Sequence, residues 1–207
     1  MRLSSKLFYN LKNIPKNWKE TKLKYILSFS EIKSPNFAEE TILSLTKHGI
    51  IERNIQNNEG QIAESYEKYN LVEIGDICMN PMDLLSGWVD ISKYKGLISP
   101  AYFTLKVNPT CDAEFVNFLL QSNYYRKTFF RFGKGVASHE NSGRWVLTPE
   151  EFKNFSIFIP NSIEEQKNIS STINKKINEA KQSIDLLNEK LELLKEYKKS
   201  LISSIVP

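Results

Sequence analysis

Arg126, Lys127, Arg131 and Lys134 fall between Glu114 and Glu140, a stretch with no acidic residue inside it, and Arg144 follows soon after. Guanidinium and ammonium groups gathered in this way can neutralise phosphate oxygens, the sequence-independent part of nucleic-acid binding. Tyr124, Tyr125, Phe129, Phe130 and Phe132 are interleaved with them. The same pattern also describes a helix with an aromatic face on a core and a basic face in water, and composition alone favours that plainer reading. A second set of side chains could read base edges, because Arg, Lys, Asn and Gln make paired hydrogen bonds to bases and turns let them reach outward. Lys47, His48, Arg53, Asn54, Lys93, Lys95, Lys134, Ser138, His139, Asn141 and Arg144 all stand in segments that read as turns or loops.

Catalysis by the chain itself finds no support. There is no P-loop, no G-x-G-x-x-G, no H-E-x-x-H and no G-x-S-x-G. Gly133-Lys134-Gly135 lacks the strand-loop-helix setting of a phosphate loop, and reads as a plain loop. Asn80-Pro81-Met82-Asp83 has a superficial likeness to the Asn-Pro-Pro-Tyr motif of amino-methyltransferases, but the second Pro and the aromatic are missing. His139 beside Glu140 could be drawn as a base and its partner, yet a lone His in a polar loop is more often a surface residue. Cys78 and Cys111 have no ligand spacing to His48 or His139, so no metal site is expected. Cys78 reads as a buried thiol, and a reducing, cytoplasmic compartment follows as the default. No apolar run suits a membrane span, and the first residues lack the apolar segment of a secretory signal. A net charge of +4 is modest for a nucleic-acid binder, so its distribution says more than its sum.

Two elements must position these groups. From Ile163 to Ile205 the chain reads as one long amphipathic helix. Ile173, Ile177, Ala180, Ile184, Leu187, Leu191, Leu194, Leu201 and Ile205 recur at steps of three and four, with Lys198 the one break. So narrow a stripe asks for another helix, and the pattern predicts a coiled coil that serves as dimerisation element or spacer over residues 161–207. Its eight Lys and seven Asp or Glu are nearly balanced, as on a solvated coiled-coil surface. At ~1.5 Å per residue it spans about 60 Å.

Residues 1–160 then form a globular domain large enough for a core of its own. Trp18 and Leu23 anchor its start. Gly49 turns a hairpin between Ile42–Leu45 and Ile50–Ile51, and Ala63–Tyr69 is expected as a short helix. Leu71–Met79, Trp88–Ile91, Ile98–Val107 and Phe155–Ile159 are expected as strands. Asp112 caps a helix that continues in broken form to Phe132, Thr148-Pro149-Glu150-Glu151 is a capping box, and Ser162 or Asn161 caps the long helix. Strands and short helices without regular alternation predict a mixed α+β domain.

Several stretches, in this order, resemble one family. The ILSLTKHGIIER hairpin, the segment GDICMNPMDLLSGWVDISKYKGLISPAYFTLKV, the run RWVLTPEEFKNFSIFIP and the junction PNSIEEQKNI resemble parts of type I restriction-modification specificity (S) subunits. The recurrent positions are Gly75-Asp76, Asn80, Met82, Gly87, Gly96 and Ser99-Pro100-Ala101-Tyr102 in the second stretch and Glu165-Gln166 in the junction. The resemblance implies a non-catalytic target recognition domain that reads double-stranded DNA. It further implies modification subunits that carry S-adenosylmethionine, so that no cofactor is expected in this chain, and possible restriction subunits.

Members of that family carry two recognition domains held apart by two antiparallel helices. This chain, with one domain and one helix, is similar to half of such a subunit. A homodimer through the helix would then read a palindromic, bipartite site. Glu165 and Gln166 are expected either to dock the modification subunit or to cap the helix. The alternative is a coiled-coil adaptor whose head binds protein.

Overall fold

The computed structural model describes residues 14–53, 65–83, 86, 88–136 and 144–205. In chain order the elements are β1 (Trp18–Lys22), α1 (Leu23–Ile26), β2 (Leu27–Phe29), β3 (Leu43–Thr46), β4 (Gly49–Glu52), β5 (Asn70–Val72), β6 (Ile77–Met79), β7 (Val89–Ile91), β8 (Gly96–Ile98), β9 (Phe103–Val107), α2 (Ala113–Gln121), α3 (Asn123–Phe132), β10 (Lys134–Val136), β11 (Arg144–Val146), α4 (Pro149–Lys153), β12 (Ser156–Pro160) and α5 (Ile163–Ile205). The fold is mixed α+β with a long C-terminal helix. Two compact units form, one up to Lys167 and one from Asn168.

The first unit is stitched by small antiparallel sheets. The largest has the order β2-β9-β6-β7, and β3-β4, β5-β8, β10-β11 and β1-β12 form pairs. The last pair joins the two ends of the unit, with Trp18 opposite Pro160 and Lys22 opposite Ser156. Where helices start, the sequence says why. Asp112 accepts from the Phe115 amide at 2.8 Å, and Ser122 restarts the chain as α3 by accepting from Tyr125. Thr148 and Glu151 form the reciprocal box, and Pro149 stands where no backbone donor is needed.

Two packing centres form among the described residues. One is aromatic: Phe129 and Phe152 are fully buried, their ring centroids 5.6 Å apart, with Phe29, Phe103 and Phe155 against them. The other gathers Leu43, Leu45, Ile50, Val72, Cys78 and Ile98, with Trp88 and Tyr102 at its edge. Gly96 is needed there because a β-carbon at that position would lie 2.4 Å from the Thr41 carbonyl oxygen, which accepts from Leu97.

Four expectations change. Leu71–Met79 is two strands, β5 and β6, in different sheets, because the chain turns at Gly75 with φ +94°. Ile98–Val107 likewise divides into β8 and β9 around a turn at Pro100 and Ala101. Gly133-Lys134-Gly135 is no simple loop, since Lys134–Val136 pairs with β11. The described part of Ala63–Tyr69 is a turn that Ser65 begins by accepting from the Glu67 amide, and not a helix. The strands at Trp18–Lys22 and Leu27–Phe29 and the short helix between them were not foreseen.

The second unit is the continuation of α5, a single helix through Ile205. Among the described residues, no helix is long and apolar enough to cross a membrane.

Candidate nucleic-acid interface

The β3-β4 turn is built to hold two polar side chains outward. Thr46 Oγ1 accepts from the His48 amide at 3.1 Å and donates to the Gly49 carbonyl at 2.9 Å. Gly49 takes φ +106°, which favours glycine, and a β-carbon there would displace the Asp90 carboxylate. Asp90, on β7, accepts from the Ile50 amide at 3.1 Å and so fastens the hairpin to the central sheet. Lys47 and His48 are exposed at the tip.

Beside this tip lies a cleft of about 360 Å³, lined by Thr46, Lys47, His48, Gly49, Ser86, Trp88, Val89, Asp90, Gln121 and Arg126. Gln121 is fixed, its amide nitrogen donating to the Val89 carbonyl at 2.8 Å and to Asn117 Oδ1 at 3.2 Å. Arg126 enters from α3. Its Nε is buried and, among the described residues, has no hydrogen-bond partner. Lys47, His48 and Arg126, distant in sequence, thus converge on one concave surface that can accept an anionic, hydrogen-bonding partner.

The other sequence-derived residues scatter. Lys127 and Arg131 are exposed on α3, while Tyr125, Thr128 and Phe129 face the core, so the plainer reading of the basic-aromatic window describes this helix. Tyr125 Oη accepts from the Phe158 amide at 3.1 Å, and burial holds its hydroxyl up at about 12. Lys93 and Lys95 are exposed in the β7-β8 turn, and Lys95 is 3.2 Å from Glu73. Arg53 follows β4, its amide donating to the Ile42 carbonyl at 2.7 Å. Lys134 and Arg144 stand on β10 and β11, opposite Val146 and Val136. Asn54, Ser138, His139 and Asn141 lie outside the described residues. Sequence reasoning missed Trp88, Asp90 and Gln121. A polar Asp inside the short apolar strand Val89–Ile91 was the one available signal.

Glu165 and Gln166 both have partners within the first unit. Glu165 accepts from Asn17 Nδ2 at 3.0 Å and Trp18 Nε1 at 3.1 Å. Gln166 is 2% exposed, and its Oε1 accepts from the Asp112 amide at 2.9 Å while its Nε2 donates to the Pro160 carbonyl at 3.2 Å. This Glu-Gln pair therefore ties the first turn of α5 to β1, β12 and the cap of α2. Ser162, with its hydroxyl accepting from the Glu164 amide at 3.1 Å, is the capping residue of α5.

Along the helical seam Ile173 is half-buried, and Ile177, Ala180, Ile184, Leu187, Leu191, Leu194, Leu201 and Ile205 are exposed. Among the described residues, no cluster of His, Cys, Asp and Glu could hold a metal ion.

No family model matches the sequence. No curated protein is significantly similar to it. Solved structures are. The S subunit of the type I restriction-modification system from M. genitalium superposes with a TM-score of 0.55 at 16% identity, over 93% of this chain and 47% of that one. The HsdS subunit from Thermoanaerobacter tengcongensis gives 0.51 at 13%, over 83% and 40%. A chain from work on complex assembly and conformational transition of the type I R-M system gives 0.52 at 13%, over 83% and 41%. The chain has the fold of type I S subunits. It spans less than half the length of each of these neighbours.

Proposed function

We propose that this chain is a non-catalytic DNA-recognition subunit of a type I restriction-modification enzyme. The observation that carries the reading is the convergence of Lys47 and His48 with Arg126 on one polar cleft, in a fold shared with S subunits. Affinity comes from Lys and Arg on phosphates, and specificity from hairpin-tip and cleft side chains at base edges in a groove. S-adenosylmethionine belongs to the modification subunits with which the chain assembles. The seam of α5 holds a second helix, antiparallel, and through it a second recognition unit, so the target is bipartite. Two identical units would read a palindrome, and two different units would read unlike halves. Restriction subunits would join the same assembly.

The test is selection from a randomised duplex pool by the full chain, alone and with its modification subunit, followed by anisotropy titration of the enriched duplex. Enrichment of a short motif, with affinity falling steeply as salt rises, is the expected result. Arg126→Ala should cost about 1–3 kcal/mol of binding, and Lys47→Ala should flatten the salt slope by about one. Salt-insensitive binding with no enriched motif, alone and with the partner, would favour the protein-binding adaptor instead.

A further inference from the structure

The exposed seam of α5 has edges, and their charge is one-sided. With the seam residues as the interior rows of a heptad, one flanking row is Asn174, Lys181, Asn188, Lys195 and Ile202. The other is Lys176, Ser183, Lys190, Tyr197 and Ser204. Neither row contains an acid, and Lys198 adds a further cation within the seam itself. The acids of this segment, Glu179, Asp185, Glu189, Glu192 and Glu196, all fall on the outer rows. There they meet lysines of their own helix: Lys175 is 4.0 Å from Glu179, and Lys195 is 2.7 Å from Glu192.

The consequence for pairing does not depend on stagger. In an antiparallel pair each flanking row meets its own counterpart, and in a parallel pair each meets the other row. Two copies of this helix therefore bring Lys176, Lys181 and Lys190 to the edges, with Lys195 already held by Glu192 of its own helix, and neither flanking row supplies an acid to the other copy. The apolar seam would draw the copies together while the edges oppose it, and a second copy would also set Lys198 against an interface with no acid at its edges. A helix with acidic flanks would gain at the same positions, and a carboxylate facing Lys198 would offset its burial.

We propose that α5 pairs along this seam with a helix whose flanking rows carry Asp or Glu, a helix different from itself, in preference to a second copy. The inference rests on the pairing role proposed above for α5. Its test contains no DNA, so its failure is distinct from a failure of DNA reading.

The test mixes the full-length chain with a full-length variant carrying Lys176→Glu, Lys181→Glu, Lys190→Glu and Lys195→Glu, all at exposed positions. Sedimentation at low salt should show the mixed dimer forming about tenfold more tightly than the wild-type dimer. The preference should shrink in ~500 mM salt, where the Debye length drops to a few ångströms. A second measurement stands should the variant fold poorly. Two helical peptides with the seam of residues 168–205, one with Glu and one with Lys at the flanking cationic positions, are titrated into the wild-type chain, and the Glu peptide should bind about tenfold tighter. Equal affinities, a statistical mixture of dimers, or a wild-type dimer as tight as the mixed one would overturn the proposal.

Discussion

The unit that ends at Lys167 and the helix that continues beyond it are stabilised by opposite means. The first buries Phe129, Phe152, Ile77 and Leu105 almost completely and holds the buried Gln166 side chain in two hydrogen bonds. The second leaves Leu187, Leu194 and Ile205 in water, at 65%, 56% and 75% exposure. Inside the core of the first unit, a buried ring such as Phe152 answers to several others at once. Along the helix, backbone hydrogen bonds close locally, and the pairing proposed above is what would cover the exposed apolar seam. Sequence changes should therefore register as folding defects in one region and as association defects in the other.

The strongest break of that contrast is Phe152→Ala. It opens a cavity among Phe29, Phe103 and Phe129 and should cost about 3–5 kcal/mol, read by denaturant unfolding of the full chain. Gln166→Ala comes next. It leaves the Asp112 amide and the Pro160 carbonyl without their partner and should cost about 1–3 kcal/mol in the same assay, more than Glu165→Ala, whose bonds are less buried.

A pH titration sharpens the comparison further. Burial raises the Cys78 thiol from 9.0 to about 12 and the Tyr125 hydroxyl from 10.0 to about 12. Both folded values lie above the unfolded ones, so the stability these groups confer is complete below pH 9 and is lost as pH rises toward 12. Alkaline unfolding monitored by fluorescence should set in above about pH 9 for the first unit, and Cys78→Ala should push that onset upward. The smallest effect is Leu187→Ala. At protein concentrations where the chain is monomeric, it should change thermal stability by no more than about 0.5 kcal/mol. At concentrations where helices pair, it should weaken association measurably by sedimentation. A large loss in the monomer would mean that Leu187 packs within its own chain and would erase the contrast.

What was legible beforehand follows the same division. The long helix, the broken α2-α3 pair and the Thr148 box are written in neighbouring residues, because helices and caps close within a few positions. The strands were harder, because their partners are remote. Trp18 pairs with Pro160, and nothing near Trp18 announces it. Gly75 and the Pro100 turn each divide an apolar run whose pattern alone looks continuous. At the candidate interface, Lys47, His48 and Arg126 were named individually from residue type. Their convergence, and the part played by Asp90 and Gln121, depends on β7 meeting the hairpin and α2 together, which no local spacing encodes. Gln166 was recognised as a position that matters, but the bonds it makes to Asp112 and Pro160 become visible only when those segments are brought together.

The hairpin tip carries one further consequence. Its shape is dictated by Thr46, Gly49 and Asp90, none of which stands at positions 47 or 48. The backbone is in effect a fixed mount, and the two projecting side chains are exchangeable fittings. New pairs of residues at 47 and 48 can alter what the tip touches while the mount keeps its form, so a change of preference needs no refolding of its support.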